Sequence, residues 1–289
     1  MQRQRYTGRF APTPSGPLHL GSITTALGAY LRARSQGGTF IIRIEDLDLA
    51  RTRADHSALI LHELASLSLF SDCPVLRQST NLSHYEHMLS DLTAAGLTYR
   101  CVCTRSALRQ APCPCRGRSI DASTPHNVCF DAAPWLPSSF RDILQGHCPT
   151  RQTFAHVVLR RKDGFFAYNL AVVCDDLAQG VTEIVRGADL LELSAVHIAL
   201  FRALGAPVPA FMHLPLVLNE HGDKYSKQNH ARPVLEELGA AATLATALGF
   251  LGQDTDYIRD GIAIADLLAE AVQRFDLGRI PAQDRVLSY

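Results

Sequence analysis

Two short segments of the 289-residue chain carry residues suited to binding phosphate. The first is Pro17-Leu18-His19-Leu20-Gly21-Ser22, at a junction between a strand and a helix. A helix N-terminus offers free N–H groups and a partial positive charge, and both favour phosphate. Gly21 lets the backbone approach a ligand closely, and His19 can donate a hydrogen bond to a phosphate oxygen. Taken alone, the segment is explained equally well by a loop histidine beside a helix start.

The second segment is Lys224-Tyr225-Ser226-Lys227-Gln228, which follows a strand and a turn that contains glycine. Two lysines three residues apart, with a serine between them, can hold a polyphosphate. They can also neutralise the charge that builds up as pyrophosphate leaves. A solvated basic loop is the better interpretation when this segment is considered by itself.

Cysteines form a third group with chemical potential. Cys101-Val102-Cys103 and Cys113-Pro114-Cys115 are two C-x-C pairs separated by nine residues. Four thiolates suit tetrahedral zinc, whereas free thiols in a reducing cell are the alternative. We interpret the other cysteines as buried or free thiols, with His126 and Cys129 as reserve ligands. They are Cys73, Cys129, Cys148 and Cys174.

The overall composition limits the class of protein. Hydrophobic residues make up 47% of the chain and charged residues 19%, which is typical of a globular protein. The 28 basic and 28 acidic residues balance, so a uniformly basic nucleic-acid coat is excluded while a local basic patch is not. Without an apolar stretch of about 18 residues or a signal region, we expect a cytoplasmic protein that does not bind membranes. Nothing in the sequence requires more than a monomer.

The elements that must position these residues follow an α/β pattern. A strand over residues 5–11, a helix from Ser22 and a buried strand over 39–44 form a βαβ unit, which predicts a parallel sheet. Further elements are predicted as helices at 55–69, 83–95 (with Ser83 as N-cap), 169–178 and 193–204, strands at 181–186 and 211–218, and a hairpin at 162–164.

The chain divides into four predicted parts. Residues 1–96 form the first half of a nucleotide-binding catalytic domain, and residues 97–150 form a cysteine-bearing insertion in which periodicity is lost. Residues 151–232 complete the catalytic domain and include the Lys-x-Ser-Lys loop. Residues 233–289 form a mostly helical tail.

The His-x-Gly and Lys-x-Ser-Lys segments together resemble the HIGH and KMSKS signatures of class I aminoacyl-tRNA synthetases. The stretch from Arg9 to Ser22 (RFAPTPSGPLHLGS) is similar to the start of a glutamyl-tRNA synthetase, and RIEDLD at 43–48 and VRGAD at 185–189 fit the same family. The resemblance covers about residues 5–232. It implies a Rossmann-type parallel sheet that binds a nucleotide.

The length of the chain indicates which members of this family it resembles most. A full glutamyl-tRNA synthetase carries an anticodon-binding region after the Lys-x-Ser-Lys loop, but only 61 residues follow Gln228. We therefore expect no anticodon-binding domain, and the chain is similar to the truncated paralogues, the glutamyl-queuosine tRNA(Asp) synthetases. This resemblance implies that ATP activates L-glutamate to glutamyl-adenylate. The glutamate is then transferred to the queuosine base in the anticodon loop of tRNA(Asp), which modifies the tRNA rather than charging its 3′ end.

Glutamate has two carboxylates and an ammonium, so its site needs charges of both signs. Arg9 and Arg186 are candidates for the carboxylates, because guanidinium binds them bidentately, and Glu45 is the candidate for the ammonium. The resemblance supports these three residues and adds Tyr168 as a hydroxyl contact. It also places four consecutive residues at the amino acid: Phe10, Ala11, Pro12 and Thr13.

Activation needs no protein nucleophile, so catalysis depends on positioning and on stabilising charge. His19 and Lys227 are the expected catalytic residues. The expected ATP-binding residues are His19, Gly21, Ser22, Lys224, Ser226 and Lys227. Mg²⁺ is expected with ATP, held mainly by phosphate oxygens and water. We interpret Asp46 and Asp48 as supports of the site, and Asp175-Asp176 as a helix cap or salt-bridge partners rather than metal ligands.

The resemblance also favours a structural zinc in the insertion. The usual family pattern is C-x-C followed by Tyr-x₃-Cys, which Cys101, Cys103 and Cys115 match. Ala111 stands where the tyrosine is expected, so we expect Cys113 to be the substitute ligand. The zinc would fix the insertion that approaches the nucleic acid.

Basic residues near the insertion are candidates for holding RNA phosphates, although a solvated basic face explains any one of them equally well. They are Arg105, Arg109, Arg116, Arg118, Arg160, Arg161 and Lys162. Three other functions compete with the one implied above. They are a small nucleotidyltransferase, a short synthetase with another glutamate acceptor, and a non-catalytic RNA-binding paralogue. The Glu45 and Arg186 motifs weigh against the first, and the intact His19, Lys227, Arg9 and Glu45 weigh against the last.

Overall fold

The structure is a computed structural model that describes residues 5–48, 51–151, 155–218 and 234–286. Within these ranges no helix is both long enough and apolar enough to cross a membrane. The strands are β1 (Thr7–Phe10), β2 (Thr39–Ile44), β3 (Leu76–Arg77), β4 (Thr98–Cys101), β5 (Asn127–Asp131), β6 (Ser139–Asp142), β7 (Gly146–Pro149), β8 (His156–Arg160), β9 (Glu183–Gly187), β10 (Ala210–Leu214), β11 (Val217–Leu218) and β12 (Arg285–Val286). The α-helices are α1 (Leu20–Ser35), α2 (Ala54–Ser66), α3 (Leu82–Ala94), α4 (Arg105–Gln110), α5 (Tyr168–Ala178), α6 (Ser194–Ala203), α7 (Val234–Phe250) and α8 (Ile264–Arg274).

The main sheet has seven strands in the order β3-β2-β1-β9-β10-β6-β7. All neighbours are parallel except β6 and β7, which form an antiparallel hairpin at one edge. The predicted α/β class with a parallel sheet is therefore confirmed. The chain runs from β1 outward to β2 and β3, and the later strands β9 and β10 lie on the other side of β1. The boundary between β1 and β9 is thus a topological switch point, where ligands bind at the carboxyl ends of the strands.

The first βαβ unit is built by a short run of apolar residues. The β2 strand is buried on both faces, as expected for a central parallel strand. Phe40 and Ile42 pack into the core that contains α1, α7 and α8. Ile41 points to the opposite face, into the core that contains α3, α5 and α6. Helices therefore cover both faces of the sheet, and the predicted bounds of this strand are those observed.

The predicted insertion contributes to two sheets. Its strands β4 and β5 form a three-stranded antiparallel sheet with β8, which lies beyond residue 150. Its hairpin β6–β7 instead joins the main sheet, because Asp142 of β6 pairs in parallel with Phe211 of β10. The four-part division of the chain given above stays a prediction.

Two local expectations were wrong. Ser83 is not the N-cap of α3, because the helix begins at Leu82 and Asn81 occupies the cap position. The Asn81 side chain donates a hydrogen bond to Asp175 Oδ1 (3.0 Å) instead of capping its own helix. The strand predicted at 211–218 is divided into β10 and β11, since Pro215 between them has no N–H to donate to a ladder.

Candidate active site

The switch point opens into a cleft of about 670 Å³. It lies where β1 and β9 end and α1 begins. The cleft is lined by the eight residues predicted for glutamate and by three of those predicted for ATP. These are Arg9, Phe10, Ala11, Pro12, Thr13, Glu45, Tyr168 and Arg186, with His19, Gly21 and Ser22. Lys224, Ser226 and Lys227 lie outside the described residues. The structure thus gathers side chains that are far apart in sequence, and their roles remain predictions.

The start of α1 is held by His19. This residue is the N-cap, and its Nδ1 accepts a hydrogen bond from the backbone N–H of Ser22 (3.2 Å). A nitrogen that accepts carries no proton, so the proton of the neutral imidazole lies on Nε2. Nε2 is 3.0 Å from Ser22 Oγ and can donate to it. The N–H groups of the first turn therefore provide donors for an anion at this corner of the cleft, and the Nε2–H of His19 adds another when an anion replaces Ser22 Oγ as its acceptor.

A buried ionic network supports the other side of the cleft. Arg9 of β1 binds Asp176 of α5 (Nε to Oδ1, 3.1 Å) and donates to the carbonyl oxygen of Val185 (3.2 Å). Arg43 of β2 binds the same carboxylate oxygen of Asp176 (2.8 Å) and reaches Glu45 Oε1 at 3.3 Å. The interpretation of Asp176 as a salt-bridge partner is confirmed. Asp176 joins the two arginines, so it positions Arg9 directly and Glu45 through Arg43.

The charges in this network do not balance. Its ionisable members are two guanidiniums and three carboxylates, namely Arg9, Arg43, Glu45, Asp175 and Asp176, all buried. Glu45 is the carboxylate of this network that lines the cleft. Burial raises the pKa of Glu45, and the attraction of Arg43 and Arg9 only partly opposes this. A substrate ammonium beside Glu45 would neutralise the excess and stabilise its ionised form.

Asp175, by contrast, has a structural environment. Its carboxylate accepts hydrogen bonds from Gln78 (2.7 Å), Asn81 (3.0 Å) and the hydroxyl of Tyr85 (2.9 Å). These donors come from the segment that leads into α3 and from α3 itself. Asp175 therefore anchors α3 to α5, and the interpretation of it as a structural residue rather than a metal ligand agrees with these contacts.

Arg186 of β9 is buried and surrounded by uncharged acceptors. Its Nε donates to His213 Nε2 (3.1 Å), and its Nη1 lies 3.1 Å from His197 Nδ1. Its Nη2 donates to the carbonyl oxygen of Leu190 (3.1 Å) and to Ser194 Oγ (2.9 Å). Burial and the nearby arginines lower the pKa of His197 far below its usual value, so this imidazole is neutral. The positive charge of Arg186 is therefore not neutralised by these neighbours and remains for an anionic ligand.

Tyr168 is the first residue of α5 and lies between these groups. Its ring packs edge-on against His197, with ring centroids 5.7 Å apart. Burial raises its pKa, and the negative charge of Glu45 adds to this shift. The hydroxyl therefore keeps its proton and can donate a hydrogen bond within the cleft.

Two residues that sequence reasoning missed belong to the surroundings of Arg186. His213 of β10 and His197 of α6 are both buried within apolar runs. A polar residue inside a buried strand or helix needs a hydrogen-bond partner. The position of His213 within Phe-Met-His-Leu therefore indicates, from the sequence alone, that this histidine binds another polar group. The identity of its partner could not be read from the sequence, because Arg186 is 27 residues away.

The four predicted zinc ligands form one cluster at the end of β4. The Sγ atoms of Cys101, Cys103, Cys113 and Cys115 all lie within 4.8 Å of one another. Individual sulfur–sulfur distances are 3.5 Å for Cys101–Cys113, 3.9 Å for Cys103–Cys113 and 3.6 Å for Cys103–Cys115. Tetrahedral zinc with Zn–S bonds of about 2.3 Å places its sulfurs about 3.8 Å apart. The donor set therefore fits a structural zinc ion.

The reserve ligands are arranged differently. The half-buried His126 lies close to the carbonyl oxygen of Thr124 and is not part of the cysteine cluster. Cys129 does belong to a neighbouring group, with Cys101 and His156, whose ligand atoms also lie within 4.8 Å of one another. The two groups share Cys101, so Cys129 and His156 lie next to the four-thiol cluster. Cys148 and Cys174 are buried thiols, as predicted, and Cys73 is an exposed one.

The basic residues proposed for RNA differ in their surroundings. Arg116 pairs with Asp131, Arg160 pairs with Glu86, and Arg161 pairs with Asp163. Arg105, Arg109 and Arg118 are exposed beside the cysteine cluster. Any zinc in that cluster would thus fix the segment that carries these three arginines.

Comparison with known proteins agrees with this architecture. The family model described as the catalytic domain of class I tRNA synthetases (E and Q) matches residues 6–129 and 118–243. The chain is 42% identical to the glutamyl-Q tRNA(Asp) synthetase of Pectobacterium atrosepticum, covering 96% of this chain and 88% of that protein. It is 40% identical to the one of Shewanella amazonensis, covering 99% and 98% respectively.

Solved structures give the same result. The glutamate tRNA ligase from Elizabethkingia meningosepticum, crystallised in complex with its amino acid, superposes with a TM-score of 0.81 at 26% identity. The match covers 98% of this chain and 67% of that ligase. A glutamate-tRNA synthetase from Elizabethkingia anophelis gives a TM-score of 0.80 at 26% identity, covering 98% of this chain and 68% of that one. The resemblance seen in the sequence is thereby confirmed, and the chain belongs to the glutamyl-Q tRNA(Asp) synthetase family of ligases within the class I tRNA synthetases.

Proposed function

We propose that this enzyme uses ATP to activate L-glutamate as glutamyl-adenylate. It then transfers the glutamate to the queuosine base in the anticodon loop of tRNA(Asp). The names of its relatives support the acceptor, and the glutamate tRNA ligase structures support the amino acid. The reaction modifies the tRNA and leaves its 3′ end uncharged.

The observation that carries the proposal is the distribution of charge around the cleft. On one side, Glu45 belongs to a buried network with one more carboxylate than guanidiniums. On the other side, the guanidinium of Arg186 is surrounded by neutral partners. A ligand with an ammonium at one end and a carboxylate at the other matches this polarity. Free glutamate has both groups, together with the second carboxylate that reacts.

In the first step, an oxygen of the glutamate α-carboxylate attacks the α-phosphorus of ATP. A carboxylate–phosphorus bond forms, the bond from that phosphorus to the bridging oxygen of the β-phosphate breaks, and pyrophosphate leaves. His19 and the N–H groups that begin α1 hold phosphate oxygens, and Lys227 is proposed to bind phosphate as well. Lys224 and Ser226 assist it. Mg²⁺ bound mainly by the phosphates and water accompanies ATP.

In the second step, a nucleophilic group of queuosine attacks the activated carbonyl carbon. The new bond to queuosine forms, the bond to the phosphate oxygen breaks, AMP leaves, and the nucleophile loses its proton. The exposed residues Arg105, Arg109 and Arg118 are proposed to hold phosphates of the anticodon stem-loop. Zinc held by the four cysteines would keep the segment that carries these arginines in place.

The proposed organisation follows the predicted boundaries. The two halves of the catalytic domain (1–96 and 151–232) bind ATP and glutamate, the insertion (97–150) approaches the tRNA, and the tail (233–289) packs against α1. This last packing is supported by the shared core of α1, α7 and α8. We propose that the enzyme works as a monomer.

Glutamate-dependent exchange of labelled pyrophosphate into ATP tests the proposal, with and without tRNA. Glutamate should support exchange, whereas glutamine and aspartate should not. Glutamine lacks the distal negative charge, and aspartate has a shorter side chain. Exchange with no amino acid present, or with glutamine in preference to glutamate, contradicts the proposal. Absence of exchange under every condition favours a non-catalytic RNA-binding protein.

A further inference from the structure

A buried chain of hydrogen bonds runs from the edge hairpin of the main sheet to Arg186. Asp142, the last residue of β6, places its Oδ2 at 2.7 Å from His213 Nδ1. On the other side of the imidazole, His213 Nε2 lies 3.1 Å from Arg186 Nε. Both Asp142 and His213 are buried, with 1% and 0% of their surface exposed.

Only one tautomer of His213 fits these partners. A carboxylate can only accept, so Nδ1 must carry the proton that it donates to Asp142. The Nε of Arg186 can only donate, so His213 Nε2 must present a lone pair. Burial and the charge of Arg186 lower the pKa of His213, although Asp142 opposes this, and the imidazole is therefore neutral. The negative carboxylate of Asp142 decides which nitrogen holds the single proton.

The second histidine completes the surroundings of the guanidinium. His197 Nδ1 lies 3.1 Å from Arg186 Nη1, and its Nε2 lies 3.1 Å from Asn169 Oδ1. By the same reasoning, His197 accepts from Arg186 and donates to Asn169. With Ser194 and the Leu190 carbonyl, four acceptors hold Arg186 through all three of its nitrogens. A guanidinium held in this way has one orientation toward the cleft, and the acceptor at Nε exists only in one tautomer of His213.

We propose that Asp142 is a positioning residue for glutamate: by fixing His213 as a hydrogen-bond acceptor, it orients the guanidinium of Arg186 that binds a substrate carboxylate. This inference rests on the proposed function for the role of Arg186. It gives the β6–β7 hairpin, at the edge of the sheet, a function in amino-acid binding.

A purely structural role is the competing explanation. Asp142 Oδ1 accepts the backbone N–H groups of Leu144 and Gln145 (both 2.9 Å) and so closes the turn of the hairpin. The substitution Asp142→Asn separates the two roles. The amide oxygen can keep the contacts with the turn, while the NH₂ group replaces Oδ2 and faces His213. Two donors then oppose each other unless the proton of His213 moves to Nε2, where it faces the N–H of Arg186.

We expect Asp142→Asn to raise the KM for glutamate in pyrophosphate exchange about 10- to 100-fold, as for loss of one hydrogen bond to a charged group. The KM for ATP should change less than about 3-fold, since Arg186 does not hold ATP in the proposed function. Asp72→Asn is the matched control, because its exposed carboxylate binds only Arg34 and the nearby Phe40 backbone, away from the cleft. It should leave both KM values unchanged.

A second variant tests whether the effect passes through His213. In His213→Gln, the side-chain carbonyl can accept from Arg186 without a proton that Asp142 must place. Adding Asp142→Asn to that variant should therefore raise the KM for glutamate less than about 3-fold further, since coupled residues are not additive. An undiminished effect in the double variant shows that Asp142 acts through the turn and overturns the inference.

Nitrogen-15 NMR of labelled histidine in the unmodified protein reads the tautomer directly. We expect His213 to carry its proton on Nδ1; a proton on Nε2 overturns the inference whether or not the variants fold. An unmodified enzyme without glutamate-dependent exchange overturns the proposed function, and the inference with it. If the unmodified enzyme is active and Asp142→Asn keeps its KM for glutamate, the inference alone is wrong.

Discussion

Replacing Glu45 with glutamine is expected to weaken glutamate binding without unfolding the protein. The substitution keeps the shape of the side chain and removes its charge. The buried network then contains two guanidiniums and two carboxylates, so it no longer has the excess negative charge that attracts an ammonium. Glutamate binding should therefore lose one hydrogen bond between charged groups.

The structure sets the size of the effect. A hydrogen bond to a charged group contributes about 1.5–3 kcal/mol, which corresponds to a rise of about 10- to 150-fold in the KM for glutamate. The fold should tolerate the change, because Arg43 keeps its 2.8 Å contacts with Asp176 and Gln179. Burial already raises the pKa of Glu45, so its charge is costly to bury and removing it relieves that cost.

Pyrophosphate exchange at varied glutamate measures this KM, and inhibition by glutarate provides an internal control. Glutarate has both carboxylates but no ammonium, so its inhibition constant should not rise in the Glu45→Gln variant, because removing a nearby negative charge does not weaken binding of a dianion. Asp72→Asn is the control, because its exposed carboxylate binds Arg34 and does not line the cleft. If Glu45→Gln keeps the KM for glutamate, or weakens glutarate as much as glutamate, the assignment of Glu45 to the ammonium is refuted.

Four further outcomes are expected. Because burial raises the pKa of Glu45, the KM for glutamate should rise as pH falls through that raised value, and a flat profile contradicts this. Burial opposes ionisation of Asp176, but Arg43 and Arg9 hold the pKa of Asp176 in the folded protein below the usual 3.8. The ionised carboxylate therefore stabilises the fold above pH 3.8, and this stabilisation is lost as the pH falls through the lower pKa of the folded state. Asp176→Asn leaves two buried guanidiniums with one charged partner fewer, so it should lower the free energy of unfolding by about 3–5 kcal/mol at neutral pH. Urea titrations measure this difference, which should be smaller in acid. Cys113→Ser should reduce zinc content measured by mass spectrometry of the metal, whereas Cys129→Ser should not, and equal zinc in both argues against Cys113 as a ligand. His19→Ala should slow pyrophosphate exchange about 10²- to 10³-fold, while loss of the helix cap should lower the free energy of unfolding by only about 1 kcal/mol. If the loss of exchange is no larger than the loss of folded protein explains, the role of His19 at phosphate is contradicted.

Local pattern was sufficient for the first βαβ unit. The β-branched and apolar run at 39–44 predicts β2 with its observed bounds, because a strand buried on both faces needs nothing more than such a run. The helix before it begins at Leu20, two residues earlier than Ser22, since His19 acts as the cap. Histidine is a less common cap than serine, which explains the shift.

Pairing between distant segments could not be predicted in the same way. The hairpin β6–β7 has no periodicity that distinguishes the main sheet from the small one, and its place depends on the contact of Asp142 with Phe211. For the same reason, the sequence predicted Arg186 as a ligand-binding residue but not the buried acceptors that hold it. His213 and His197 come from two other elements, and only the fold brings them to one guanidinium.

Sequence motifs predicted several of the charged residues that line the cleft. Arg9, Glu45 and Arg186 were predicted from charge and resemblance, and the fold brings all three to one cleft because each lies at or just after the carboxyl end of a parallel strand. The sequence could not show that Asp176 links Arg9 to Arg43. A carboxylate pair in a helix has many possible partners, and burial selects between them.

Transfer of labelled glutamate to tRNA tests the central claim most directly. The enzyme, ATP and labelled glutamate are incubated with two pools of tRNA(Asp), one with queuosine and one without, and the label is located by nuclease digestion. We expect label only in the pool that contains queuosine, on the anticodon-loop base. Label on both pools, or on the 3′ end of any tRNA, contradicts the proposed acceptor. Glutamate-dependent pyrophosphate exchange with no label on either pool indicates a different acceptor.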